Sequence, residues 1–327
     1  MPSRRRALVI LGALALLSLC SIALALIVGS VAIAPAQVLS ALFGDGVASE
    51  VVRNLRLPRA LTGFACGGLL ALAGAMLQVL LRNPLADPYV LGISGGAGVG
   101  ALLAIVFGLG AASVDALAFA GALAAMLIVF GLAHGEGGWT QSRLLLTGVI
   151  VAAGCGAVVA LLLAVAPDDR LRGMLFWLMG DLSQAGDPRT VLLLLLLVLL
   201  LALPFARELN LLARGADIAQ ALGVAVRRLR RGVYFVASLA TAAAVTHAGA
   251  VGFVGLIVPH LVRLAAGNDQ RLLLPASVLA GGSLLVIADT LARSVLAPQQ
   301  LPVGVLTALI GVPVFLFLLG RAANGRG

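Results

Sequence analysis

The sequence predicts an all-α polytopic membrane protein with about ten transmembrane helices. First, 61% of its 327 residues are hydrophobic and only 11% are charged, whereas soluble domains average about 45–50% and about 25%. Second, the mean hydropathy is +1.14, and the apolar residues form runs near the roughly 20 residues that cross a bilayer. Third, nearly all of the charges fall between these runs. Because so few charges cannot cover a soluble surface, we exclude soluble enzymes, nucleic-acid-binding proteins and disordered chains.

We interpret residues 1–327 as a single transmembrane domain. Its first apolar run follows Arg4, Arg5 and Arg6 and is far longer than the apolar core of a signal peptide, so we expect it to be retained. The predicted spans are residues 7–33, 60–81, 91–109, 116–132, 144–165, 190–205, 232–248, 251–265, 274–292 and 303–319. An even number of spans places both termini on the same side of the membrane.

The distribution of positive charge predicts which side that is. All 22 cationic residues are arginine, and with ten spans 15 of them fall on the side of the termini. Short cytoplasmic loops carry the excess of positive charge, so both termini are expected on the cytoplasmic side of the membrane. The basic balance favours anionic membrane lipid and protein partners rather than nucleic acid.

Two connections are too polar to span the bilayer. Residues 207–231 form a cytoplasmic insert in which Ile218, Leu222 and Val226 recur at helical spacing. This short amphipathic helix either lies on the lipid surface or docks a soluble partner. Residues 167–188, on the outer side, predict a second short amphipathic helix.

The eighth predicted span is expected to be irregular. Pro259 leaves the carbonyl of Gly255 without its helical hydrogen bond, and Gly252 and His260 lie close by. Broken helices persist in bilayers only where protein buries them or where they line a wet cavity. We therefore place these four residues near a transport pathway. The glycine-rich stretch 135–138 leaves the boundary after the fourth span poorly defined.

Several kinds of chemistry are absent from the sequence. A chain without lysine has no Walker A loop and no Schiff-base nucleophile. Its three cysteines and three histidines show no metal-ligand spacing, so we expect no metal site and no cofactor. We predict no enzyme activity, and any ATP hydrolysis belongs to another chain. Two classes remain: a permease energised by a separate ATPase, or an ion-coupled secondary transporter of a small solute.

Specific motifs favour the first class. They are LRLPR at 55–59, GAMLQ at 74–78, RNPLADP at 82–88, LGISGGA at 91–97, GFVGLIVPH at 252–260 and LPVG at 301–304. In this order and spacing, from about residue 53 to residue 319, the chain resembles the iron-chelate and cobalamin permease family, the membrane subunits of type II ABC importers.

The resemblance implies ten spans and a homodimer around a central pathway. It also implies two copies of a cytoplasmic ABC ATPase, which bind ATP and Mg²⁺, and one periplasmic substrate-binding protein. The expected function is import of a bulky metal chelate, namely cobalamin, a ferric siderophore or haem, from periplasm to cytoplasm.

The resemblance also implies roles for particular residues. The insert is expected to form two coupling helices that contact the ATPase through Arg214, Gly215, Ala219, Leu222 and Gly223. A cytoplasmic gate is expected at Asn83, Leu85, Thr140, Gln141 and Ser142.

Three arginines on the outer side, Arg56, Arg59 and Arg293, are expected to receive acidic residues of the binding protein, because the guanidinium fork grips carboxylates. Two alternatives remain open: lipid-headgroup anchoring, and for Arg293 an ion pair with Asp289 one helical turn earlier.

Overall fold

The computed structural model describes residues 4–29, 33–133 and 140–324, apart from the side chains of residues 36, 39 and 318–324. The fold within these residues is helical. The α-helices are α1 (Arg4–Ile27), α2 (Pro35–Phe43), α3 (Val47–Glu50), α4 (Leu57–Leu80), α5 (Ile93–Val106), α6 (Ala111–Leu132), α7 (Gln141–Val165), α8 (Asp168–Leu178), α9 (Arg189–Ala202), α10 (Ala206–Arg214), α11 (Ala216–Ala221), α12 (Val226–Ala248), α13 (Val254–Ala266), α14 (Gln270–Ala292) and α15 (Val303–Asn324).

The ten predicted spans each coincide with a helix, namely α1, α4, α5, α6, α7, α9, α12, α13, α14 and α15. Six helical stretches are long and apolar enough to cross a membrane, and α5, α13 and the described part of α15 are shorter apolar helices. Helix α12 begins with a run of arginines and becomes apolar after the first two turns. The predicted fold class is confirmed.

The first span ends earlier than predicted. Helix α1 stops at Ile27, not at residue 33, and a π-helical turn, Val51–Arg56, leads into α4. The end of α1 is set by long-range contacts described below, which the local sequence does not contain. The stretch 135–138, whose boundary the sequence left open, lies outside the described residues.

Helix α4 is the centre of the bundle, and its residues from position 65 to position 80 are all buried. It crosses α14 and α13 at glycines. A Cβ atom at Gly67 would lie 2.3 Å from the carbonyl oxygen of Gly281, and one at Gly74 only 1.8 Å from that of Gly255. Small residues at such crossings let the backbones of transmembrane helices touch.

A second close pair is formed by α5 and α6. A Cβ atom at Gly96 would lie 2.3 Å from the carbonyl oxygen of Gly121, and one at Gly100 1.9 Å from that of Leu117. By contrast, the peripheral helices expose apolar side chains, as lipid-facing helices do: Leu8 on α1, Leu146 on α7 and Leu193 on α9 are each more than 60% exposed.

Two of the short helices begin inside the bundle rather than at its surface. Helix α5 follows Gly92 (φ 75°), and α13 follows a non-helical stretch with positive φ at Gly249 (67°) and Phe253 (69°). Gly255 packs against Leu70, well within the length of α4. The irregularity predicted for this span is present, but it precedes α13, which continues through Pro259.

Candidate functional site

Three chain segments meet at the connection between α12 and α13. We call this meeting point the loop junction (residues 179–181, 249–253 and 301–304). The amide of Asp181 donates to the carbonyl of Ala248 (2.9 Å), and the amide of Val303 donates to that of Gly180 (2.9 Å). The amide of Val251 donates to the hydroxyl of Tyr89 (2.8 Å). The junction therefore ties the end of α8 and the start of α15 to the break before α13.

The four residues predicted to lie near a pathway occupy or follow the loop junction. Gly252 lies in the loop junction. A Cβ atom at Gly255 would lie 2.8 Å from Pro88 Cδ, so the start of α13 touches the segment that leads into α5. Pro259 is buried within α13, and the Nδ1 atom of His260 is buried without a hydrogen-bond partner. Sequence reasoning missed Gly180 and Tyr89, although the glycine-rich pattern LPVG at 301–304 pointed to a close approach there.

The residues of the predicted gate come together at one end of α4. The side-chain oxygen of Asn83 accepts a hydrogen bond from the amide of Leu85 (2.9 Å). Leu85 is 41% exposed. Gln141 Nε2 donates to the carbonyl of Leu80 (3.1 Å). Two connections distant in sequence are thus joined at the last turn of α4.

The same end of the bundle carries the other two gate residues and one buried acid. Thr140 caps α7 by accepting from the amide of Arg143 (3.3 Å), and Ser142 is exposed in its first turn. Burial raises the pKa of the Asp87 carboxyl, in the loop after Leu85, to about 6, while the hydrogen bond from the amide of Tyr89 opposes this shift.

The polar insert forms two short helices, α10 and α11. Gly215 (φ 141°) separates them and Gly223 (φ 82°) follows the second, so each glycine supplies a backbone conformation that other residues rarely adopt. Leu222 is 62% exposed, and Arg214 is exposed at the end of α10. Ala219 is fully buried and packs against the permease itself, and contact of the insert with an ATPase stays a prediction.

Two of the three outer arginines, Arg59 and Arg293, pair with Asp289, and we call Arg56, Arg59, Asp289 and Arg293 the outer arginine cluster. Arg59 grips the carboxylate with Nη2 on Oδ1 (2.8 Å) and Nε on Oδ2 (2.9 Å). Arg293 Nε lies 3.8 Å from Oδ2, so the ion pair across one helical turn is present.

The cluster also ends helix α1. Arg56 Nη1 donates to the carbonyls of Leu26 (2.7 Å) and Ile27 (2.8 Å), and Arg293 Nη2 donates to that of Ala25. The last carbonyls of a helix have no partner within it and carry partial negative charge, so cationic donors stabilise them.

Two of the three arginines are buried within the cluster. Arg56 is 4% exposed and Arg293 is 7% exposed, and both contact the end of α1. Arg59 reaches the surface, where Nη1 donates to Gln300 Oε1 (2.8 Å). Docking of the binding protein through Arg56, Arg59 and Arg293 stays a prediction. Arg170, on α8, similarly donates to the last carbonyls of α5, those of Ile105 and Val106, a contact that the sequence did not suggest.

Comparison with known proteins agrees with this architecture. The family model of the FecCD transport family matches residues 15–321. The chain is 46% identical over 275 residues to a cobalamin import system permease protein of Halobacterium salinarum (83% of this chain, 74% of the relative). It is 43% identical over 282 residues to a hemin transport system permease protein of Yersinia pestis (84% of each).

The fold agrees with a solved structure as well. A chain described as an inward-facing conformation of a metal-chelate type ABC transporter superposes with a TM-score of 0.87 and 32% identity, covering 95% of this chain and 99% of that one. Sequence and fold together show that the chain belongs to the FecCD transport family and is the permease subunit of an ABC importer.

Proposed function

We propose that this permease carries a bulky metal chelate across a bacterial inner membrane into the cytoplasm, with both termini on the cytoplasmic side. The observation that supports this most is the near full-length similarity to permeases named for cobalamin and hemin. In this proposal a homodimer encloses the pathway, two separate ATPase subunits bind ATP and Mg²⁺, and one periplasmic binding protein delivers the chelate.

The alternative of an ion-coupled secondary transporter is not retained. Ion-coupled carriers need an ionisable group that the coupling ion reaches near the middle of the membrane. Asp289, an acid within the predicted span 274–292, is 3% exposed and is held by two arginines. Family membership points the same way, since ABC permeases are driven by partner ATPases.

The substrate class is tested in proteoliposomes that contain the permease, its ATPase and its binding protein. We expect cobalamin, haem or a ferric siderophore, delivered by the binding protein, to stimulate ATP hydrolysis and to accumulate inside. Permease alone, under a proton or sodium gradient, is the control and should transport none of them. Gradient-driven uptake by the permease alone would contradict the proposal.

The exposed end of α11 is proposed to dock the ATPase. Leu222→Asp places a charge in an apolar contact, and a charge left unpaired in an interface costs about 3–5 kcal/mol. We expect the variant to insert and fold normally but to lose its ATPase during purification. The matched control is Leu296→Asp, at a leucine 53% exposed in the connection before α15. If equal amounts of the ATPase co-purify with both variants, the ATPase does not dock at Leu222.

The loop around Leu85 is proposed to close the cytoplasmic end of the pathway where two subunits meet. In a protein whose three cysteines are replaced, Leu85→Cys is expected to give an oxidised dimer on a non-reducing gel. The control keeps only Cys20, which is exposed on the peripheral helix α1, and should remain monomeric. Failure of the Leu85→Cys protein to crosslink in the ATP-free and ATP-bound complexes would place the gate elsewhere.

A further inference from the structure

A large polar cavity lies at the end of the bundle that carries α10. Its volume is about 1020 Å³, and it is bounded by the ends of α4, α10 and α13 and the starts of α1 and α14. Six arginines line it: Arg6, Arg82, Arg207, Arg214, Arg263 and Arg271. Against them stands one carboxylate, Asp269, which already accepts from Asn210 Nδ2 (2.9 Å) and from the amide of Arg271 (3.1 Å). We call this space the arginine cavity.

Most of this positive charge is not neutralised by the permease. Within the described residues, Arg82, Arg207, Arg214 and Arg271 have no carboxylate within 4.0 Å. Like charges gathered on a concave surface focus a positive potential. An anion with several oxygens, such as a phosphate, would relieve this repulsion, because one guanidinium group donates two parallel hydrogen bonds to phosphate oxygens.

The floor of the cavity is held rigidly. Arg263 Nη2 donates to Gln78 Oε1 (2.9 Å), and Gln78 Nε2 donates to the carbonyl of Leu256 (3.0 Å). Arg6 Nη2 donates to the carbonyl of Ala265 (3.3 Å), which brings α1 against the end of α13. The guanidinium groups of Arg263 and Arg6 are therefore positioned before a ligand arrives, which lowers the entropic cost of binding.

The surroundings of the cavity indicate an amphiphilic anion. Beyond Arg6, α1 exposes Leu8 (71%) and Val9 (64%), and on α13 Leu264 is 64% exposed beside Arg263. A headgroup in the cavity would leave its acyl chains along these apolar side chains. These exposed apolar side chains favour the lipid over the ATPase as the occupant. Arg214, an expected ATPase contact, also lines the cavity, whereas Leu222, which follows α11, does not, so the test below measures ATPase recovery as well.

We propose that the arginine cavity binds the phosphate headgroup of an anionic phospholipid from the cytoplasmic leaflet. The proposal depends on the membrane orientation proposed above, and it adds a lipid site to the permease. It concerns binding to the permease alone, so it is testable whether or not the transported chelate has been identified.

The test uses the full-length permease, delipidated in a neutral detergent. Binding of phosphatidylglycerol, of phosphatidylcholine and of inorganic phosphate is measured by native mass spectrometry and by the shift in unfolding temperature. We expect phosphatidylglycerol to bind and stabilise the protein, with phosphatidylcholine and millimolar phosphate each at least about tenfold weaker.

The variant Arg82→Gln, Arg207→Gln, Arg271→Gln is expected to weaken phosphatidylglycerol binding by about tenfold or more. The matched control, Arg143→Gln, Arg227→Gln, Arg228→Gln, removes the same charge from the same end of the bundle outside the cavity and should change binding less than about twofold. The single variant Arg271→Gln tests the same site if the triple variant misfolds, and we expect it to lose less of the phosphatidylglycerol binding.

Three results would overturn the proposal. Equal losses in the two triple variants would indicate general surface attraction instead of a site. Inorganic phosphate that binds as tightly as the lipid would make the cavity a site for a free anion. Unchanged lipid binding with loss of ATPase recovery in the cavity variant would assign these arginines to the ATPase.

Discussion

Gly74→Ala is expected to abolish folding of the permease, although it adds only a methyl group. The new Cβ atom would lie 1.8 Å from the carbonyl oxygen and 2.6 Å from the carbonyl carbon of Gly255. Overpacking a core costs typically about 1–3 kcal/mol when side chains give way. Here the obstacle is backbone at the crossing of α4 and α13, so we expect the loss to reach or exceed the upper end of that range.

The measurement is the yield of monodisperse protein in detergent, together with its unfolding temperature. Gly154→Ala is the matched control, since it lies in α7 with nothing within 4 Å of the added Cβ atom. Alanine is a better helix former than glycine, so this control should be neutral or slightly stabilising. A Gly74→Ala protein as stable as the control would show that α4 and α13 do not touch as described.

Asp289→Asn is expected to cause the second largest loss of stability. The carboxylate is the ion-pair partner of both Arg59 and Arg293, whose side chains are 11% and 7% exposed. Removing one member of a buried ionic group leaves uncompensated charge, which costs about 3–5 kcal/mol. The end of α1 should loosen as well, because Arg293 is no longer held in place to donate to the carbonyl of Ala25.

The unfolding temperature of the purified permease measures this effect. Asp187→Asn is the matched control: its pair with Arg189 is exposed on both sides, 63% and 85%, and exposed pairs contribute about 0–1 kcal/mol. The double variant Asp289→Asn, Arg59→Gln should recover part of the loss, since it removes one of the uncompensated cations. A loss no larger than that of Asp187→Asn would show that the cluster is hydrated in the membrane.

The helical bundle could be predicted because each membrane span is encoded by one continuous apolar run of the sequence. Each apolar run became a helix, and Gly215 and Gly223 marked both turns of the insert. Helix ends were less accessible. Gly29 and Ser30 interrupt the apolar run only briefly, and the groups that cap the last carbonyls of α1 are Arg56 and Arg293, 30 and 268 positions away from their acceptors.

The same reason explains why the contacts of the outer arginines could not be predicted. Hydropathy and charge bias assign a residue to a side of the membrane, yet they do not reveal whether its side chain meets a partner or a helix end. Arg56 and Arg293 are buried and donate to the end of α1. The burial of Ala219 was inaccessible in the same way, since a six-residue helix has a buried face that its sequence alone does not define.

The backbone contacts of the glycines have a mechanical consequence. Where Gly67 meets Gly281 and Gly74 meets Gly255, backbone touches backbone, so we expect α4, α13 and α14 to resist sliding past one another. The pairing of Gly96 with Gly121 is expected to hold α5 to α6 in the same way. We therefore expect a conformational change during transport to rotate these two groups of helices relative to one another, rather than to shear either group.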